Sequence, residues 1–83
     1  MCVVHLVESI PFYAKYNKNL LEQEEGVHVQ EFSNPKEMLR EVESGNVPDV
    51  VVMDTILPFM NGSDLIEKIS KINNKIKFLV VTS

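Results

Sequence analysis

The chain has no tryptophan, one cysteine and three scattered glycines, and basic residues are the minority charge. Each scarcity removes a class of protein. A lone Cys2 cannot close an internal disulfide, which fits a reducing compartment. Gly26, Gly45 and Gly62 stand apart, so no glycine-rich loop with a lysine exists to cradle nucleotide phosphates, and the dinucleotide fingerprint fails likewise. Eight Lys+Arg face twelve Asp+Glu, a formal charge of −4, which argues against an electrostatic grip on nucleic acid or anionic membrane. The apolar start has no basic flank and is interrupted by His5 and Glu8, so it does not read as a signal peptide. No apolar run approaches the roughly 20 residues that cross a bilayer. A small, acidic, cytoplasmic piece is the expectation.

Eighty-three residues, 45% hydrophobic and 24% charged, suit one globular unit with a thin core. Residues 2–7 form a nearly continuous apolar, β-branched run, the pattern of a parallel strand covered on both faces. After Glu8-Ser9, Pro11 opens a helix in which Phe12, Tyr16 and Leu20 recur on one face, with Gly26 as its stop. Val27 and Val29 alternate with His28 and Gln30, which predicts a half-buried edge strand over 27–32. Asn34-Pro35-Lys36-Glu37 is a helix start with Asn34 as cap and Glu37 completing a capping box; Met38, Leu39 and Val42 form its buried stripe, and Gly45 ends it. Pro48 precedes an apolar strand, Val50 to Met53, ending at Asp54. A loop with Pro58 and Asn61-Gly62 follows, then a helix capped by Ser63 with Leu65, Ile66, Ile69 and Ile72 on one face. The last apolar strand covers 76–81 and ends at Thr82-Ser83. Strands separated by helices pair in parallel through right-handed crossovers, so one open α/β unit is expected.

In such a sheet, ligands gather beyond the carboxyl ends of the strands. The residues there are Glu8 and Ser9, Asp54 and Thr55, and Thr82 and Ser83. A carboxylate at a buried strand end can act as a nucleophile or hold a hard cation, and a nearby hydroxyl can donate to an anion formed there. His5 and His28 lie on neighbouring strands without a carboxylate or thiol cluster, so both read as structural. Cys2 reads as a small buried hydrophobe, and Lys71, Lys75 and Lys77 as a solvated face that protects a strand edge.

The segment Pro48-Asp49-Val50-Val51-Val52-Met53-Asp54-Thr55-Ile56-Leu57-Pro58-Phe59-Met60-Asn61-Gly62 closely resembles the phospho-acceptor segment of response-regulator receiver domains of two-component signalling, the CheY-like family. Glu8-Ser9 after the first strand, Pro11 at the first helix and Thr82 after the last strand fall in the family's order. The resemblance implies a flavodoxin-like α/β fold, an open parallel sheet of (βα) repeats whose strands here would lie in the order 2-1-3-4. It implies a phosphoprotein that takes a phosphoryl group onto Asp54 from a sensor histidine kinase or phosphotransfer protein with Mg²⁺ assistance, and so regulates an output domain or partner. Such a chain is an acceptor in a phosphorelay, not an enzyme. Carried over by position, Glu8 and Asp54 are metal-site carboxylates, Ile56 offers a backbone carbonyl to the metal, and Thr82 contacts the phosphoryl group and switches with it.

Two departures qualify the likeness. Ser9 stands where the family has a second acid; its hydroxyl brings no charge, which weakens the Mg²⁺ site. The sequence stops at Ser83, before the family's fourth helix, fifth strand with its aromatic switch residue and following lysine, and fifth helix. Residues 1–83 are therefore expected to be the N-terminal two-thirds of a receiver domain, self-associating through an exposed fourth strand. A degenerate pseudo-receiver that binds partners without phosphorylation, and an inactive truncated fragment, stand as alternatives.

Overall fold

The computed structural model describes residues 1–54 and 56–81. Its elements follow in the order β1 (Cys2–Val7), α1 (Pro11–Leu21), β2 (Val27–Phe32), α2 (Pro35–Glu43), β3 (Val50–Asp54), α3 (Gly62–Ile72) and β4 (Lys77–Val81). All strand pairs are parallel, and the sheet order is β2-β1-β3-β4. The chain thus steps one way from β1 to β2, returns across β1 to β3, and continues to β4. This is the order that the family resemblance implies.

Alternation along the strands separates two cores. Val7, Val51 and Met53 point to one face and pack with Met38 and Val42 of α2, Leu65 and Ile69 of α3, and Ile76. Val4, Leu6, Val29 and Val52 point to the other, with Leu21 of α1 packed against them. A fully buried aliphatic side chain contributes about 1.5–3 kcal/mol. The α2–α3 face, with its two buried helical stripes, therefore carries most of the stability. The α1 face is thinner, because Ala14 is the buried residue that α1 supplies.

Local chemistry sets the ends. Asn34 caps α2 by accepting a hydrogen bond from the Lys36 amide at 2.8 Å, with Pro35 at the first position. Helix α1 ends at Leu21, earlier than its expected stop; Gly26, at φ 82°, turns the chain into β2 instead. The cap of α3 is Asn61 and not Ser63: the Asn61 carboxamide oxygen accepts from the Asp64 amide at 2.8 Å, and the Ser63 hydroxyl donates to that same oxygen. Ile72 lies on the exposed side of the last turn of α3, and Cys2 is half-buried rather than enclosed.

The two sheet edges differ. On β2, His28, Gln30 and Glu31 are exposed and polar, which discourages pairing with another chain. On β4, Leu79, Val80 and Val81 are 52%, 44% and 38% exposed, with Lys77 the strand's charged residue. Phe12, Tyr16 and Leu20 of α1 are likewise 73%, 59% and 50% exposed, so the face repeated every four residues points away from the sheet.

Candidate functional site

Strands β1 and β3 are neighbours at the centre of the sheet, with Val7 opposite Met53 in the register. The residues that follow, Glu8 and Asp54, therefore emerge side by side at the carboxyl edge. Glu8 is almost fully buried. Its amide donates to the Phe32 carbonyl at 3.0 Å, tying the end of β1 to the end of β2. The Glu8 carboxylate accepts from the Ile10 amide at 3.2 Å, which turns the chain towards α1. Asp54 is partly buried, and its Oδ1 accepts a long 3.4 Å hydrogen bond from the Ile56 amide.

Electrostatics make this pair the chemical centre of the edge. Burial pushes the Glu8 carboxyl above its ordinary value of 4.5. The Ile10 amide opposes that, while the Asp54 charge and a side-chain hydrogen bond with Asp54 raise it further. Two carboxylates held together in a half-dry place need a shared proton or a cation between them.

The donor set suits a hard divalent cation. It consists of oxygens, and Mg²⁺ is held through one or two carboxylates with water and phosphate completing its shell. Glu8 and Asp54 supply that number. Among the described residues no group of three or more acidic, histidine or cysteine side chains is placed to hold a metal, and Ser9 is exposed and neutral. Ile56 is held to Asp54 by its amide while its side chain is 78% exposed. Thr55, Thr82 and Ser83 lie outside the described residues, so the expected phosphoryl contact of Thr82 lies there too.

Beside Glu8 an open cleft of about 300 Å³ runs between the starts of α1 and α2, lined by Glu8, Ser9, Glu31, Phe32, Ser33 and Glu37. Three carboxylates make it hostile to a bare anion. The loop from Asp54 to α3 packs Leu57 and Met60 against the larger core and leaves Phe59 exposed at φ 67°. That left-handed backbone and the Asn61 cap were not read from the sequence; the Asn-Gly pair before a helical stripe was the available signal for the cap. The two histidines do not form a pair: His5 sits opposite Gln30, whereas His28 sits opposite Val3 and is exposed. Lys71 pairs with Glu67 at 3.3 Å on the outer face of α3, as expected of a solvated basic cluster.

Comparison with known proteins agrees with this geometry. The family model described as "Response regulator receiver domain" matches residues 4–83. Among solved structures, a LuxR-family two-component response regulator from Aurantimonas sp. SI85-9A1 superimposes with a TM-score of 0.87 at 26% identity, over 99% of this chain and 59% of its own. A CheY-like receiver domain protein from Methanospirillum hungatei JF-1 gives 0.88 at 27% identity, over 99% and 64%. The non-phosphorylated HemR receiver domain from Leptospira biflexa gives 0.78 at 32% identity, over 99% and 64%. The chain thus spans about three-fifths of the length of these structures. The comparison with curated proteins found no match.

Proposed function

We propose a phosphoryl-acceptor role for this chain from one premise: it belongs to the response regulator receiver domain family. The observation that carries the reading is the placement of Asp54 beside buried Glu8 at the centre of the carboxyl edge. An Asp54 oxygen attacks the phosphorus of a phosphohistidine on a sensor kinase or phosphotransfer protein. A P–O bond forms, the P–N bond breaks, and the leaving imidazole takes up a proton. The chain is consumed as acceptor and does not turn over substrate as an enzyme does.

Mg²⁺, when bound, would offset the negative charge that gathers on the phosphoryl oxygens beside two carboxylates. Glu8 and Asp54 would hold it together with the Ile56 backbone carbonyl, and Ser9 would add a neutral hydroxyl. The Ile10 amide keeps the Glu8 carboxylate oriented, and the Ile56 amide does the same for Asp54. Thr82 is assigned the phosphoryl contact on the family resemblance. No helix among the described residues is long and apolar enough to cross a membrane. With the net negative charge and the lone cysteine, that supports a cytoplasmic place without nucleic-acid or membrane binding by this segment. The exposed apolar β4 edge supports self-association as a further property.

The test is incubation with a small-molecule phosphodonor, with and without Mg²⁺, read by intact mass. A gain of one phosphoryl group that needs Mg²⁺ and disappears in Asp54→Asn is the expected result. A gain retained in Asp54→Asn overturns the assignment. No gain in the parent chain favours the binding-only reading, to which neutral Ser9 already points.

A further inference from the structure

Two ionisable side chains are buried among the described residues, Glu8 and His5, and phosphoryl acceptance uses the first alone. His5 lies in mid-strand on β1, between Gln30 of β2 and Val51 of β3 in the register. Its ring is fully buried and rests on the Phe32 ring, with centroids 5.0 Å apart and planes inclined at 58°. Neither ring nitrogen has a hydrogen-bond partner. Polar groups are nevertheless close. Asn46, on the connection from α2 to β3, donates its carboxamide N–H to Gln30 Oε1 at 2.8 Å, and both amides lie close enough to the imidazole to favour its protonated form.

The surroundings admit a charge in one direction only. From α2, the Glu41 carboxylate favours a protonated ring. From β2 and the α2–β3 connection come the neutral amides of Gln30 and Asn46; His28, on the same strand, is exposed. From β3 comes Val51, which is apolar and fully buried. An imidazolium in the closed sheet would carry two N–H donors into a fully buried place where neither ring nitrogen has a hydrogen bond in place, and the Asn46 and Gln30 amides only partly offset the cost of burying that charge. Opening α2 and the 44–47 segment would admit water to both ring nitrogens. Gly45, at φ 105°, already gives that segment a turn few side chains adopt.

We propose that His5 is a proton latch: neutral, it lets α2 close over β1 and β2, and protonated, it drives α2 and the 44–47 segment open. The consequence reaches the acceptor site through the strand. Helix α2 covers Val7, and Val7 precedes Glu8, so opening α2 loosens the strand end that presents the Glu8 carboxylate. The proposal rests on the fold and stands whether or not Asp54 is phosphorylated.

The sign follows from burial, which lowers the His5 pKa below its ordinary 6.5 and outweighs the raising effects of Asn46, Glu41 and Gln30. The closed state is fully favoured above 6.5 and loses ground as pH falls towards the lowered value, by up to about tenfold per pH unit. Hydrogen exchange of the full 83-residue chain at about pH 5.5 and about pH 7.5, either side of the free imidazole value, reads this directly. After correction for intrinsic exchange, amides of α2 and residues 44–47 should lose protection at the lower pH relative to those of α3. His5→Leu should abolish that difference, and His28→Gln should leave it in place. The same loss in His5→Leu overturns the proposal. So does an NMR titration of the wild-type ring showing His5 protonated at its ordinary value with α2 still protected, a result that decides the matter even if His5→Leu fails to fold.

Discussion

Phe59 offers a test in which two opposing backbone effects can be separated by a pair of substitutions. Its φ of 67° lies in the left-handed region, and its side chain is 75% exposed. For a residue with a Cβ that conformation costs roughly 1–2 kcal/mol. Glycine escapes the cost but brings extra unfolded-chain entropy, worth about 0.5–1 kcal/mol relative to alanine. Phe59→Gly and Phe59→Ala lose the same ring contacts, so the comparison between them isolates the backbone. Taken at the middle of each range, subtracting the second effect from the first leaves Phe59→Gly more stable than Phe59→Ala by about 0.75 kcal/mol. For a chain of this size that is a difference in melting temperature of roughly 3–6 °C. Thermal and urea unfolding followed by circular dichroism measure it. At an ordinary position glycine is the less stable of the two, so the sign alone is diagnostic. Alanine equal to or better than glycine would refute the left-handed backbone, and with it this geometry of the loop that leads from Asp54 to the Asn61 cap.

The remaining predictions concern the carboxylate pair and the open edge. Because the folded pKa of Glu8 is raised above 4.5, its contribution to stability is fully present below that value and is lost as pH rises through the raised one. Glu8→Gln should therefore be more stable than the parent at neutral pH without metal and show a flatter profile above 4.5; an unchanged profile in denaturant titrations would mean that Glu8 is not held as described. The slope has the opposite sign to that of His5, so the two substitutions are distinguishable in one experiment. Leu79→Lys places a charge on the apolar β4 edge and should shift the chain from associated species to monomer in light scattering. A parent chain that is already monodisperse and monomeric would sink the self-association reading.

Much of the architecture was legible because its signals are local. Apolar runs bounded by Glu8, Pro48 and Asp54 marked the strands, Asn34-Pro35 marked the start of α2, and helices between strands forced parallel pairing. Family resemblance added the strand order, which periodicity alone does not contain. The cap of α3 was misplaced because Asn61 and Ser63 are both competent caps by type. Only the path of the loop decides which oxygen meets the Asp64 amide. The face of α1 was also ambiguous, since the Phe12, Tyr16 and Leu20 repeat looks like a core stripe until the sheet beneath α1 is seen to be met through Ala14 and Leu21.

By itself the sequence determined that Glu8 and Asp54 end apolar strands, because a charged residue terminates a run that is buried on both faces. Tertiary structure alone decided that the two carboxylates are neighbours, since that depends on β1 and β3 pairing with Val7 opposite Met53. It also decided what burial does to each ionisable group. Glu8 is buried next to another carboxylate, and His5 is enclosed where neither nitrogen finds a partner. Both outcomes depend on long-range packing around the side chain, and a residue's place in the chain carries no record of that packing.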